Sequence, residues 1–510
     1  MNVYLAGLDI GTTGSKAMIF RADGSVLSYA YEEYPCSYPK AGWVEQDADL
    51  IVSKAMKSLK EAVVHCGINP KEIVSVSLSA QRSCAIILDR NHQIIRPMIS
   101  WQDNRPSAEV KDIEARISKA DYYSKTGYPN STTWLLAKML WIKKHEPDVW
   151  KGMYKIVQMH DYFLHALGVD DYYVDYNDAG YFGFFDTAKG VWDDELVKLF
   201  DIPTAVLPIP VLSGTPIGKV SKKASLLCGL SPGTQISIGA GDQSAGAVGA
   251  GVVRTGLVSV SMGTAGAVAA FLDKPFRDPS GNTLVTAHPM PQRWLLEGYQ
   301  AAAASVYRWF KDELALWDRA QAGENFYTHM DDKISQIEPG SNGLVVLPYF
   351  ASAGTPRYNP QARGVVIGLT FAHTRYHIAR SFLEGITYDM KDMLNSMISS
   401  GIEITEARVL GGPTKSPVWN QIQADIYGIP VTTLTISDAT VLGAAILGGV
   451  GAQVFSSITE GADSMVRLNK TYVPDRECSA LYEKLYQIFT RAYDGLTDKD
   501  VFTALAGMQK

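Results

Sequence analysis

Two stretches half a chain apart share one grammar. Residues 5–20 read LAGLDIGTTGSKAMIF, and residues 257–271 read LVSVSMGTAGAVAAF. Each is an apolar run of strand length, a tight glycine-bounded turn (GTTG or GTAG) and a second run of small and apolar residues. That is the pattern of a hairpin. A repeat spaced by half the chain points to two related domains rather than a short-period solenoid. Chance likeness between two hairpins is the competing reading. The boundary is expected near residues 251–255, after GAGDQSAGAVGAGVV, giving domains 1–252 and 253–510.

Composition sets the outer limits. The chain has 510 residues, 46% hydrophobic and 20% charged, which fits globular units rather than a disordered chain. A net charge of −6 without a dense Lys/Arg run leaves nucleic-acid binding without support. Nowhere do about twenty apolar residues follow one another, so no membrane-spanning helix is expected. The N-terminus lacks a basic leader and a small-residue cleavage site. Five scattered cysteines without CxxC spacing read as reduced thiols, and together these features imply a cytoplasmic protein.

Local patterns predict strands over residues 3–10, 15–20 and 26–33, the last two joined by Asp23-Gly24. Apolar residues at Ile51, Ala55, Leu59, Ala62 and Val63 predict a helix over 49–67. A strand over 73–79 is followed by a hairpin from 83–89 to 93–95. An amphipathic helix is expected over 132–144, capped by Thr132 or Thr133 and bearing Trp134, Met139, Leu140 and Trp141. Strands and helices keep alternating, which favours a mixed α/β architecture.

Several segments have the makings of a phosphate chemistry. A strand–GTTG–strand turn offers backbone N–H groups around a small volume; Thr12 and Thr13 add hydroxyls and Lys16 a cation. Asp9, ending the first strand, would repel phosphate unless a divalent cation intervenes, which implies Mg²⁺ held through water. The alternative is an ordinary glycine hairpin with a capping Asp. Gly263-Thr264-Ala265-Gly266 keeps the glycines and one threonine, so the two turns would grip a polyphosphate from opposite sides of a cleft. No GxxxxGK[ST] occurs, and no G-x-G-x-x-G opens a helix in a βαβ unit.

Asp242 opens a small-residue helix after a strand and a glycine bend. It reads either as a helix cap or as a general base that accepts a hydroxyl proton while phosphate arrives. Gly411-Gly412-Pro413-Thr414-Lys415-Ser416 links a strand to a helix N-terminus, a further site for the anionic or polar part of a nucleotide. Leu442-Gly443-Ala444-Ala445 reads as a close-packing helix face. The nine histidines show no metal-ligand spacing, so solvated or satisfied core histidines are expected. A GxSxG elbow is absent, which weakens a hydrolase reading.

Taken together these segments resemble the FGGY carbohydrate kinases. The resemblance runs through LDIGTTGSKAMIF, GWVEQDADLI, SAQRSCAIILD, ISWQDNR, GAGDQSAGAVGAG, SMGTAGAV, GLTFAHTRYHIARSFLEGITYDM, LGGPTKSPVWNQIQADIYGIPV and ATVLGAAILGG, in the family's order and over nearly the whole chain. It implies two actin-like, hexokinase-like (ribonuclease H-like) ATPase domains with an interdomain cleft. The N-terminal one would bind mainly sugar and the C-terminal one mainly nucleotide. It implies ATP and Mg²⁺ as cofactors, with Asp9 near the metal, and Thr12, Thr13, Gly14 and Lys16 as the first phosphate loop. Gly263 and Thr264 correspond to the second loop, Gly412 and Ser416 to the adenosine side, and Asp242 to the catalytic base.

The resemblance also outlines a sugar pocket of Gln81, Arg82, Ser83, Trp101, Asp103 and Gln243. Xylulokinases read Gln-Met-His where this chain has Gln81-Arg82-Ser83, and place an Asn where it has Gln243. Glycerol kinases carry Arg-Glu, so Arg82 matches them while Ser83 loses their carboxylate. Thr133 falls where glycerol kinases have a substrate-contacting Tyr. An Arg at 82 would fork two hydrogen bonds onto adjacent hydroxyls or a carboxylate. The implied activity is transfer of the ATP γ-phosphoryl group to a terminal hydroxyl of a ketopentose, xylulokinase-like. A glycerol or other polyol kinase is the alternative, and a non-catalytic ATP-binding switch on the same fold a remoter one. Homodimers are common among similar kinases.

Overall fold

The computed structural model describes residues 3–508. Three strands open the chain: β1 (Tyr4–Ile10), β2 (Gly14–Arg21) and β3 (Val26–Glu33). β1 is buried at every position except Asp9, as an apolar strand covered on both faces must be, whereas β3 alternates between buried and exposed. β1 then pairs in parallel with β4 (Ile73–Ala80), Asp9 opposite Ser79 and Ile10 opposite Ala80. Beyond β4 come β5 (Pro216–Lys219), β6 (Gln235–Ser237) and β7 (Ala240–Gly241). β6 and β7 run parallel to β4, and β5 lies antiparallel on β6.

The second sheet repeats that plan. β8 (Gly256–Met262) and β9 (Gly266–Leu272) form the hairpin, Met262 opposite Gly266. β10 (Ile404–Leu410) and β11 (Val431–Leu434) extend it in parallel, and β12 (Leu468–Tyr472) closes it antiparallel. Hairpin, two parallel strands and an antiparallel edge thus recur in the same order. The echo between residues 5–20 and 257–271 is the visible part of a duplicated mixed α/β sheet.

The chain divides into two compact units. One holds residues 1–253, 271–295 and 438–467; the other holds 254–270, 296–437 and 468–510. In the first unit α1 (Ala48–His65) is capped by Asp47, which accepts the Leu50 N–H at 3.0 Å, and it buries Ile51, Ala55, Leu59, Ala62 and Val63. These are the residues whose spacing predicts the helix.

Elsewhere tertiary packing departs from the local pattern. α2 spans Leu135–His145 and starts after Trp134, not Thr132 or Thr133, with no side-chain cap. It is not amphipathic: Leu135 to Ile142 are all buried, Lys138 included. The hairpin over 83–95 survives as an irregular turn, with Asp89 N–H on Gln93 O at 3.0 Å. Its strand Ile86–Leu88 bonds across this turn, Ile95 N–H on Ile87 O at 3.1 Å, and pairs also with Lys155–Val157.

Next in the chain are α3 (Met159–Leu167), α4 (Asp242–Gly249), α5 (Phe326–Ile334), α6 (Pro417–Tyr427) and α7 (Ala439–Gly451). α4 and α7 pack backbone to backbone. A Cβ on Gly249 would stand 1.9 Å from Ala439 O, one on Gly443 1.9 Å from Ala245 O, and one on Gly7 2.3 Å from Val441 O. No side chain fits at these crossings, so the small-residue face expected at 442–445 draws α4 against α7, and α7 lies against β1. Among the described residues no helix is long and apolar enough to cross a membrane, and the five cysteines are free thiols, three of them buried.

Candidate active site

In the first unit three neighbouring parallel strands end side by side, and each ends in a polar segment. β1 delivers Asp9 and the Gly11–Gly14 turn, β4 delivers Gln81-Arg82-Ser83, and β7 delivers Asp242. The carboxyl edge of parallel strands is where open α/β sheets bind ligands, because the strand termini leave backbone groups and flexible loops there.

The turn is tied down from several sides. Gly11 N–H bonds Gly14 O at 3.0 Å, and Tyr34 OH donates to Gly11 O at 2.6 Å. Gln46 Nε2 donates to Thr12 O (2.8 Å), Trp101 Nε1 donates to Thr12 Oγ1 (2.9 Å), and Tyr34 N–H donates to Thr13 O (3.2 Å). Thr13 itself is exposed. Lys16, opposite Asp9 in the hairpin register, forms an ion pair with Asp438. Asp9 accepts a 2.6 Å hydrogen bond from Ser79 Oγ. Desolvation moves its carboxyl from the usual 3.8 up to about 6. Asp242 and Asp438 repel the charge further, against the pull of Ser79 and Lys16. Three carboxylates share this region; Lys16 pairs with Asp438 and Arg82 with Asp242, which leaves Asp9, among the described residues, without a cation of its own, an oxygen donor that a hard divalent cation suits.

Arg82 and Asp242 meet directly: Arg82 Nε lies 2.8 Å from Asp242 Oδ1, and the guanidinium sits 4.4 Å over the Tyr181 ring. Asp242 does not cap α4 in the usual way. Besides the Arg82 Nε, its Oδ1 accepts the adjacent Gln243 N–H at 2.7 Å, and its side chain remains 35% exposed. Gly241 is required beside it, because a Cβ there would fall 2.5 Å from Arg82 Cδ, 2.6 Å from Asn177 Oδ1 and 2.7 Å from Asp178 Oδ1. Gln243 is half-buried next to Asp242.

The rest of the predicted pocket is more deeply set. Gln81 is buried, its N–H on Ile10 O (2.8 Å) and its Nε2 on Gln46 Oε1 (3.0 Å). Ser83 is buried in left-handed backbone geometry, φ +62°. Trp101 reaches the Gly11–Gly14 turn through its bond to Thr12 rather than standing apart from it. Asp103 is fully buried, and both its oxygens are engaged. Arg105 takes them bidentately at 2.9 and 2.8 Å, and Val44 N–H adds a bond at 2.6 Å.

Sequence reasoning missed the layer beneath. Asp161, Asp175, Asp178 and His160 are all buried, and donor atoms of His160, Asp175 and Asp178 lie within 4.8 Å of one another. Burial raises all three carboxyls, Asp175 to about 6 and Asp178 well above its usual value. His160 Nε2 accepts the Gly239 N–H at 3.3 Å, and the Asp178 carboxyl of this cluster lies within reach of the charges of Arg82 and Asp242. Sequence separations of up to 18 residues hid it. Asp438 carried a readable signal, its place just before the ATVLGAA helix.

The second unit has its own paired bends. Gly263 N–H bonds Ala265 O (2.9 Å), and Thr264 O accepts from Ala303 N–H (2.9 Å) and Ser305 Oγ (2.6 Å). β10, parallel to β8, ends at Gly411, whose φ of +93° brings its Cα against Met262 O. The GTAG turn and the Gly411–Ser416 bend therefore sit at one sheet edge. A Cβ on Gly412 would meet open space. Ser416 caps α6, accepting the Trp419 N–H at 3.0 Å, and it donates to Asp331 Oδ1 on α5 at 2.7 Å. Burial raises Asp331 to about 6, and sequence reasoning did not single it out.

Comparison with known proteins bears on the same residues. Residues 4–249 match the N-terminal domain, and residues 258–452 the C-terminal domain, of the FGGY family of carbohydrate kinases. The chain is 28% identical over 491 residues to a xylulose kinase of Staphylococcus xylosus, covering 96% of this chain and 100% of that one. It is 27% identical over 499 residues to a gluconokinase of Bacillus subtilis strain 168, covering 96% and 95%. The crystal structure of xylulose kinase from Rhodospirillum rubrum superposes with a TM-score of 0.88 at 28% identity, over 98% and 100% of the two chains. A duplicated mixed sheet with polar bends at its parallel strand ends, matched along both halves, identifies a phosphotransferase acting on a sugar alcohol group: the chain belongs to the FGGY family of carbohydrate kinases.

Proposed function

We propose that this kinase transfers the γ-phosphoryl group of ATP to a terminal hydroxyl of a ketopentose, with Asp242 as the general base. The observation that carries the reading is the convergence of Asp9, Arg82 and Asp242 at three adjacent parallel strand ends, with Asp242 held against Arg82 and still open to solvent. In this reading the acceptor hydroxyl bonds to Asp242, which takes its proton as the phosphoryl group arrives. Arg82 orients Asp242 and offers donors to neighbouring hydroxyls; Gln81 and Gln243 supply amide contacts. Trp101 keeps the Thr12 turn aligned with the acceptor side.

The raised, crowded carboxyl of Asp9 fits a cation in its vicinity, and Asp9 is the residue that would hold Mg²⁺ through water. Mg²⁺ supplies charge neutralisation of the triphosphate. Thr12, Thr13, Gly14 and Lys16 receive phosphate oxygens on the first unit. On the second unit Gly263 and Thr264 do the same, and Gly412 and Ser416 border the adenosine side. ATP as donor and free thiols throughout fit a cytoplasmic setting.

The Arg at 82 favours a second reading, a glycerol-type polyol acceptor, and the lack of a carboxylate at Ser83 counts against it. Coupled ADP release over a panel of ketopentoses, polyols and aldonates separates the two. D-xylulose is expected to give the highest kcat/KM, and a polyol or an aldonate in that place replaces the reading. Asp242→Asn should keep ATP binding while kcat falls by about a thousandfold or more, as loss of a general base together with its orienting role requires. Near-normal turnover in the folded variant would remove Asp242 from the chemistry.

A further inference from the structure

Ser83 is held at both ends of its peptide. Its N–H donates to Gln158 Oε1 at 2.6 Å, and its carbonyl accepts from Lys138 Nζ at 2.5 Å. Between these bonds the residue keeps a left-handed φ of +62°, a geometry that a serine adopts only where its surroundings impose it. Gln158 in turn donates Nε2 to Asp178 O at 2.7 Å, which ties the same peptide to the cluster beneath Arg82.

Lys138 is the unexpected member. It lies in the middle of the buried stretch of α2, is itself 0% exposed, and directs its ammonium to two main-chain carbonyls, Ser83 O and Thr133 O (2.7 Å). A methionine would fill that volume without the cost of burying a charge. What the ammonium adds is a charge-assisted clasp between two segments, 83 and 133, distant in sequence. The first carries Arg82, whose Nε meets Asp242 at 2.8 Å.

We propose that Lys138 is a positioning residue for acceptor recognition: by clasping the carbonyls of Ser83 and Thr133 it fixes the loop that presents Arg82 and Ser83. The proposal rests on the kinase reading above and deepens it.

A pH signature separates positioning from mere stability. Burial lowers the Lys138 ammonium from 10.5 to about 8. The groups facing it are Cys84, whose thiol burial pushes up to about 12, Asp103 and Arg105. A lysine with a depressed native value costs stability while charged, and this cost fades as pH rises from about 8 toward 10.5. Stability from this group therefore improves over the interval in which the clasp loses its charge. An acceptor KM that worsens there is not unfolding.

The test uses the full chain, with ATP and D-xylulose, glycerol or D-gluconate as acceptor. Lys138→Met should raise the acceptor KM at least tenfold, with kcat within threefold and the ATP KM unchanged. In the wild type acceptor kcat/KM should fall above pH 8, and this limb should be missing in the variant. Gln158→Leu, which frees the other end of the peptide, should raise the acceptor KM while keeping the alkaline limb. A folded Lys138→Met with unchanged acceptor KM, or a wild type flat to pH 9.5, overturns the proposal. If no acceptor is turned over, the kinase reading fails separately, and amide hydrogen exchange decides the clasp. Faster exchange at residues 82–84 in Lys138→Met supports it, and unchanged exchange refutes it.

Discussion

Replacing Asp9 by asparagine should stabilise the protein and abolish its activity. Asparagine keeps an oxygen to accept the Ser79 hydroxyl but removes the charge that desolvation, Asp242 and Asp438 disfavour. Moving a carboxyl from 3.8 to about 6 corresponds to about 3 kcal/mol between its two protonation states. Solvent reaching this part-buried group trims the gain to about 1–2 kcal/mol at pH 7. The sign follows from proton binding. Between about pH 4 and 6 the native state holds a proton that the unfolded chain has released, so this group makes stability fall as pH rises and leaves the full deficit above 6. Urea unfolding of wild type and variant from pH 4 to 8 isolates Asp9 in the difference, since Asp175 and Asp331, also raised to about 6, are common to both. The difference should be near zero at pH 4 and reach its plateau above pH 6. Millimolar Mg²⁺ should narrow it by stabilising only the wild type. A variant less stable than wild type at pH 7, or a difference independent of pH, refutes the reasoning.

Two structural predictions are sharper in geometry. Gly443→Ala places a methyl 1.9 Å from Ala245 O, so the backbones of α4 and α7 must part; a loss of about 3 kcal/mol is expected in thermal or urea unfolding, and a neutral outcome would mean that the crossing is looser than it looks. Ser416→Ala removes the cap of α6 and the bond to Asp331 together. It should cost about 1–2 kcal/mol and raise the ATP KM without changing the acceptor KM, and an unchanged ATP KM would detach this bend from the nucleotide.

Much of the architecture could be read from the chain because it is written in local order. The two hairpins are apolar runs broken by glycine turns, and they appear as β1/β2 and β8/β9 within a residue or two of the expected ends. The period of Ile51, Ala55, Leu59, Ala62 and Val63 gives α1 its buried face, and the small residues around Gly443 mark a close crossing. Asp9, Asp242 and the glycine bends could be found for the same reason: each ends a strand, and strand ends are sequence events.

Tertiary structure decided what depends on partners far along the chain. α2 carries the periodicity of a half-exposed helix, yet Leu135 to Ile142 are all buried and only its last turn reaches solvent, because neighbouring segments cover its polar face and turn Lys138 inward. Asp103 resembles a free pocket acid until Arg105 and Val44 take up its oxygens. The carboxyl cluster around Asp178, and the pairing of Arg82 with Asp242 across 160 residues, have no local signature at all. Propensity and periodicity are set by neighbours within a few residues, whereas desolvation and charge pairing depend on which distant groups the fold brings to the same few ångströms. That is why the order of the elements could be read from the sequence, and the state of the groups within them only from the fold.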